Sequence, residues 1–336
     1  MLEFVPKNEW RRLKLRNLIV YPNCSKGGVT SVIRGRAASN RQDVFDAVFF
    51  HDKGGANAFD DLPNVSARIL REDRREKYFS YLFKEFSYDH VSVLSSPKVA
   101  NYIGELVECG VDYEFHSSDL DVVSREINEL DFRFVNSIVV PSQYLADQVG
   151  GLLPPIARGR VRVVRNCVDS QIFNTHDSGA PRSIDSRNFG EGIPLVWVGR
   201  FDSGKGYAYF LRLLAKLGNE YYGIVVLSLE HDPERAAKFL SEASQLGVSS
   251  QVKILLNLQQ SQMASLYRSA GEQGGWLIST SFMESFGYSI AEARECGLSV
   301  AAFDLPVLKE FGDSGIFAVP SGSVSDLAKV IVTGKK

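Results

Sequence analysis

Glu284 and Glu292, with seven residues between them, are the side chains of this sequence best placed to do chemistry. An ionised carboxylate only accepts hydrogen bonds, so both suit a ligand rich in hydroxyl donors. Glu284 stands in a loop that continues Ser285-Phe286-Gly287-Tyr288, and a helix is expected over residues 289–296. Amides at the start of that helix, near Gly287 and Tyr288, have no carbonyl partners within it and can take up an anion. Gly287 has no side chain to hold a phosphate or sugar off the backbone. The plainer alternative is that Glu284 merely offsets the helix dipole and Glu292 lies on a solvated face. A ligand with both hydroxyls and phosphate, such as a nucleotide sugar, would use all of these groups together.

Arg200 and Lys205 sit in the loop Gly199-Arg200-Phe201-Asp202-Ser203-Gly204-Lys205-Gly206, after the apolar run Leu195-Val196-Trp197-Val198. Strand-to-helix loops are where doubly wound sheets bind ligands. Arg200 offers a planar fork that suits a diphosphate and Lys205 a mobile point charge, although each also reads as a surface cation beside a turn. Ser25-Lys26-Gly27-Gly28 follows the expected first strand; its glycines let backbone approach a ligand, as they would also make a plain tight turn. His116 ends another expected strand and either faces the presumed cleft or caps the next helix. Ser142 has no His and Asp around it to make it a nucleophile.

These motifs resemble the donor site of the retaining glycosyltransferases of the GT-B fold, especially glycosyltransferase family 4. Members carry two glutamates with seven residues between them, the first commonly followed by a small residue and Phe-Gly. Glu284, Phe286, Gly287 and Glu292 match position by position. Arg200 and Lys205 match the family's diphosphate-binding Arg and Lys, and Gly27-Gly28 its first-domain glycine loop, which closes over the donor phosphates. Asn166-Cys167-Val168-Asp169, with Phe173 beyond, resembles the family's Asn-Gly-Val-Asp stretch, Cys167 replacing Gly. We read Asn166 and Asp169 as structural residues at the domain junction. Members often have a His that contacts the transferred sugar, frequently followed directly by Asp. Here Ser117 and Ser118 intervene before Asp119, so His116 alone is carried over.

The resemblance implies a catalytic set of Glu284, Arg200, Lys205 and His116. The donor site would comprise Gly28, Asn257, Leu258, Ser285, Phe286, Gly287, Tyr288 and Glu292. In that assignment Glu284 holds sugar hydroxyls, Glu292 the ribose, and backbone near Asn257 and Leu258 the base, whether uracil, guanine or adenine. The donor would be a nucleoside diphosphate sugar and the acceptor a hydroxyl of a glycan, a lipid-linked or a small molecule. Neither a cofactor nor a metal is expected.

Elements to position such residues are legible along the whole chain. In the first half, strands are expected at residues 18–21, 46–50, 65–70, 91–94, 111–116, 137–140 and 161–164, with helices from 29, over 71–86, 99–109 and 120–134. Residues 174–192 lose all periodicity and read as a linker. The second half alternates again, with strands at 195–198, 224–227, 252–256, 276–279, 299–303 and 316–319. Its helices are expected over 207–217, 232–246, 261–270 and 289–296, and from 325. The pattern predicts an α/β fold of two doubly wound, Rossmann-like domains, residues 1–173 and 193–336, facing a cleft.

Composition narrows the function classes. A chain of 336 residues can build two cores, and 44% hydrophobic with 23% charged residues is typical of a globular protein. A net charge of −2 supports no polycation argument for nucleic acid. The four cysteines, Cys24, Cys109, Cys167 and Cys296, are scattered and read as reduced thiols, and no apolar run approaches a membrane span. The basic stretch with Arg11 and Arg12 leads into a strand, not a signal peptide, so a cytoplasmic protein is expected. Arg71, Arg74, Arg75 and Lys77 precede Tyr78 and Phe79, the kind of surface by which relatives with lipid-linked acceptors dock on the inner membrane face. Glu72, Asp73 and Glu76 interrupt that charge, and a solvated helix face is the better reading. Family members usually continue past the position of Lys329 with a helix that crosses back to the first domain; either that helix is missing from the given sequence or a short variant with looser domain coupling is expected. Two rivals remain: a non-catalytic GT-B protein that binds sugar nucleotides or activates a partner, and a nicotinamide oxidoreductase, which the lack of GxGxxG disfavours.

Overall fold

A computed structural model describes residues 14–334, apart from 26, 108–109, 177–182, 202, 228–232 and 313–314. Arg11, Arg12, Lys26, Cys109, Asp202, Asp232 and residues 177–182 of the expected linker thus lie outside the described residues.

The first half runs β1 (Arg16–Val20), β2 (Asn23–Ser25), α1 (Gly28–Ser39), β3 (Val44–Phe49), β4 (His51–Lys53), β5 (Val65–Ile69), α2 (Arg75–Glu85) and β6 (His90–Leu94). It continues with α3 (Pro97–Leu106), β7 (Val111–Glu114), α4 (Leu120–Glu129), β8 (Val135–Val140), α5 (Gln143–Leu152), α6 (Pro155–Arg158) and β9 (Val161–Val163). Seven strands make a parallel sheet in the order β5-β3-β1-β6-β7-β8-β9, while β2 and β4 pair as a separate ribbon. The second half runs β10 (Ile193–Val198), α7 (Tyr207–Leu217), β11 (Tyr221–Leu227), α8 (Pro233–Gln245), β12 (Val252–Leu256), α9 (Gln260–Glu272), β13 (Trp276–Ser279), α10 (Tyr288–Glu295), β14 (Ser299–Phe303), β15 (Ile316–Val319) and α11 (Val324–Thr333). Its six strands lie parallel in the order β12-β11-β10-β13-β14-β15.

Continuous apolar runs make such sheets because helices cover both faces; every residue of β11 is buried. Each strand order reverses once, between β1 and β6 and between β10 and β13. At these switch points neighbouring crossovers leave to opposite faces, opening a crevice at the strands' carboxyl ends. The loops after β1, β10 and β13 are the ones that carry the glycine, Arg-Lys and glutamate motifs.

Three expectations need correction. Residues 130–134 are not helical: α4 stops at Glu129, and Asp131 accepts from the Arg133 amide at 3.0 Å, a local turn that competes with the helix. A 3-10 turn at Glu72–Arg74 precedes α2, so the helix begins at Arg75. Part of the expected linker is packed rather than free. Ser186 lies fully buried, with its amide on Ser269 Oγ at 3.0 Å and its carbonyl accepting from Tyr222 Oη at 2.9 Å.

Candidate active site

Two loops of the second domain are stapled together by one threonine. Thr280 Oγ1 accepts from Trp197 Nε1 at 2.9 Å and donates to the Lys205 carbonyl at 3.0 Å. The Phe282 amide adds a bond to the Gly204 carbonyl at 2.8 Å. Gly206 makes the close approach possible: its φ is +61°, and a Cβ there would fall 2.3 Å from the Thr280 carbonyl oxygen. Lys205 Nζ and the Glu284 carboxylate are thereby brought into an ion pair. Ser281 Oγ also donates to Glu284, at 2.8 Å. With both side chains largely buried, at 24% and 12% exposure, the pair is shielded from bulk water.

Gly287 caps α10 with φ +89°, a left-handed conformation that favours glycine. The Ile290 and Ala291 amides both donate back to the Gly287 carbonyl, at 3.0 and 3.1 Å. Tyr288 and Ser289 come before the first bond of the helix, and their amides carry its partial positive charge. Glu292, one turn on, is buried, and burial pushes its carboxyl up to about 8. This corrects the expectation of an ionised acceptor: desolvation keeps Glu292 protonated at neutral pH, able to donate as well as accept.

These groups meet in a cleft of about 520 Å³ between the domains. Arg200, Lys205, Asn257, Leu258, Tyr288 and Glu292 line it from the second domain, and Thr30, Ser31, Arg34 and Asp61 from the first. Asn257 holds φ +54° just after β12, its amide on the Leu227 carbonyl at 2.8 Å, so it turns the chain across the cleft's end. Two hydroxyls on this lining, Thr30 Oγ1 and Tyr288 Oη, are buried without a hydrogen-bond partner. Such groups are costly unless a ligand or water satisfies them.

The other expected site residues stand outside that lining. Glu284 contacts the cleft through Lys205. Gly28 opens α1, where a Cβ would touch the Tyr288 ring at 3.7 Å, so the glycine loop packs against the start of α10. Phe286 faces a second interdomain cavity, of about 360 Å³, beside Asn166 and Phe311. Ser285 and Gly287 line neither cavity. His116 caps nothing: α4 is capped by Asp119, which accepts from the Asp121 amide at 3.0 Å. The His116 ring instead lies 2.9 Å from the buried carboxylate of Glu114.

Several cleft residues escaped the sequence reading. Arg34 grips Asp61 with two bonds of 2.6 Å and donates through Nε to Gln260 Oε1, at 2.9 Å, on the opposite domain. Gln260 Nε2 in turn donates to Ser31 Oγ at 3.3 Å. No periodic signal links positions 226 residues apart. On α1, Arg34 reads as one more solvated cation, and only its helical phase with buried Thr30 and Ala37 hints otherwise.

Residues 184–333 match the family model "Glycosyl transferases group 1". A probable sucrose-phosphate synthase of Thermosipho melanesiensis is 25% identical over 158 residues, 47% of this chain and 35% of that protein. A D-inositol 3-phosphate glycosyltransferase of Streptomyces bingchenggensis is 37% identical over 100 residues, 29% of this chain and 20% of that one. These matches span about a third or less of the curated relatives. Among solved structures, Anabaena Alr3699/HepE in complex with UDP and glucose superposes with a TM-score of 0.77 at 17% identity, covering 95% of this chain and 89% of that one. At that identity the likeness is one of fold, and the fold is GT-B.

Proposed function

We propose that this chain, whose second half is a group 1 glycosyltransferase domain within a GT-B fold, moves a sugar from a nucleoside diphosphate sugar to a hydroxyl acceptor with retention. The observation that carries the reading is the convergence of Arg200, Lys205 and the free helix start of α10 on one interdomain cleft. In the reaction the bond from the sugar's anomeric carbon to the diphosphate oxygen breaks, and its electron pair leaves with the diphosphate. A bond forms from the acceptor oxygen to the same carbon on the same face, and the acceptor's proton passes to the departing phosphate. Charge therefore grows on the diphosphate, where fixed cations and amides matter most. Lys205 exchanges its Glu284 partner for that charge, which frees Glu284 to hold sugar hydroxyls. Glu292 meets the ribose, and backbone beside Asn257 and Leu258 the base. UDP and UDP-glucose bound to the Anabaena protein support a nucleotide-sugar donor.

Slow release of nucleoside diphosphate from UDP-, GDP- and ADP-sugars tests the reading. One donor should turn over, and Lys205→Ala should lower its rate about 100-fold. Equal rates in the two proteins would sink the assignment of Lys205.

A further inference from the structure

Beside the donor cleft, three first-domain side chains, Arg36, Glu114 and His116, are interlocked. Glu114 ends β7 at 1% exposure. Arg36 of α1 donates to both of its oxygens, Nη1 to Oε1 at 2.7 Å and Nη2 to Oε2 at 2.8 Å. His116 places Nε2 at 2.9 Å from the same Oε2, its own side chain 5% exposed. The group adjoins the cleft through α1, on which Arg36 follows Thr30, Ser31 and Arg34 of the cleft lining. Burying such a trio costs more than an apolar strand end would, and neighbouring β8 does end on buried Val140.

The hydrogen bonds fix more than where the ring sits. Burial pushes the Glu114 carboxyl up, but the charge of Arg36 and the bonds from His116 and Arg36 outweigh it and hold the group far below the usual carboxylate range. An ionised carboxylate can only accept, so Nε2 of His116 must carry a proton. In the neutral ring Nδ1 is then bare, and it is the one ring nitrogen left for a ligand.

We propose that Glu114 is a positioning residue for the transfer: it commits His116 to the Nε2–H tautomer, so that Nδ1 accepts from a hydroxyl of the donor sugar. Arg36 serves by keeping Glu114 ionised. The opposite tautomer would present an N–H and favour a carbonyl or ether oxygen instead. This inference rests on the reading of His116 as a sugar-contacting residue.

Nitrogen NMR of protein labelled at its five histidines, with His116 assigned by its loss in His116→Gln, reads the tautomer directly. A proton-bearing Nε2 with a bare Nδ1 is expected, and a ring protonated only at Nδ1 overturns the proposal. Glu114→Gln, whose amide can donate as well as accept, should lower kcat roughly 10- to 100-fold. Its Kd for the nucleoside diphosphate should stay within about twofold. Unchanged kcat in that folded variant also overturns the proposal. Should Glu114→Gln fail to fold, the spectrum of the unaltered protein decides. An unaltered protein that turns over no donor would refute the transferase reading, while the spectrum would still report on Glu114 and His116.

Discussion

At the scale of single residues, the site's chemistry depends on which charges are kept and which are given up. Lys205 and Glu284 form an ion pair, whereas the Glu292 carboxyl, pushed up to about 8 by burial, gives up its charge at neutral pH. This has a consequence for stability. Native Glu292 holds its proton up to about pH 8, whereas the unfolded chain releases it near the ordinary carboxylate value of 4.5. Between those values the native state binds more protons, so stability falls as pH rises through that window and levels off above it. Glu292→Gln should remove this decline and exceed the unaltered protein by a few kcal/mol at pH 9, with little difference at pH 4. Parallel stability curves from urea unfolding would contradict it. The residue types of the donor motif were readable from spacing because the two glutamates and the Arg-Lys pair each lie within one short stretch. Their protonation and partners were not, because burial and the contacts of Arg36, Glu114 and His116 arise only when distant strands and helices meet.

At the scale of elements, sequence period and structure agree best in the second half, where one helix and four strands keep their expected bounds. Residues 207–217, 252–256, 276–279, 299–303 and 316–319 form the elements expected of them. The short strands β2 and β4 went unseen because three residues such as His-Asp-Lys carry neither apolar character nor alternation. Helix α5 has a cap that could have been read, Ser142, whose Oγ accepts from the Leu145 amide at 3.2 Å. The loop that holds Lys205 depends on one glycine. Gly206→Ala would force a Cβ into the left-handed region and against the Thr280 carbonyl oxygen. A loss of about 1–3 kcal/mol is expected on denaturation, with a larger proportional loss of donor turnover because Lys205 and Glu284 move together. A variant with unchanged turnover would show that this staple does not set the geometry of the ion pair.

At the scale of the whole molecule, the polar contacts described between the two domains lie both beside the cleft and away from it. Arg34, Gln260 and Ser31 bridge its mouth, while the Tyr144 amide donates to Glu310 at 3.0 Å elsewhere on the interface. Removing the bridge by Gln260→Ala should weaken nucleotide binding by less than about tenfold, because one neutral side chain contributes about 1 kcal/mol. A loss greater than 100-fold would mean that Gln260 contacts the nucleotide itself. The cleft is proposed as a nucleoside diphosphate site built on Lys205 and the start of α10. Calorimetric titration with UDP, GDP and ADP, repeated on Lys205→Ala, is the decisive test. Saturable binding of one of the three is expected, weakened in the variant by about tenfold or more. Binding of none, or equal binding by both proteins, would contradict it.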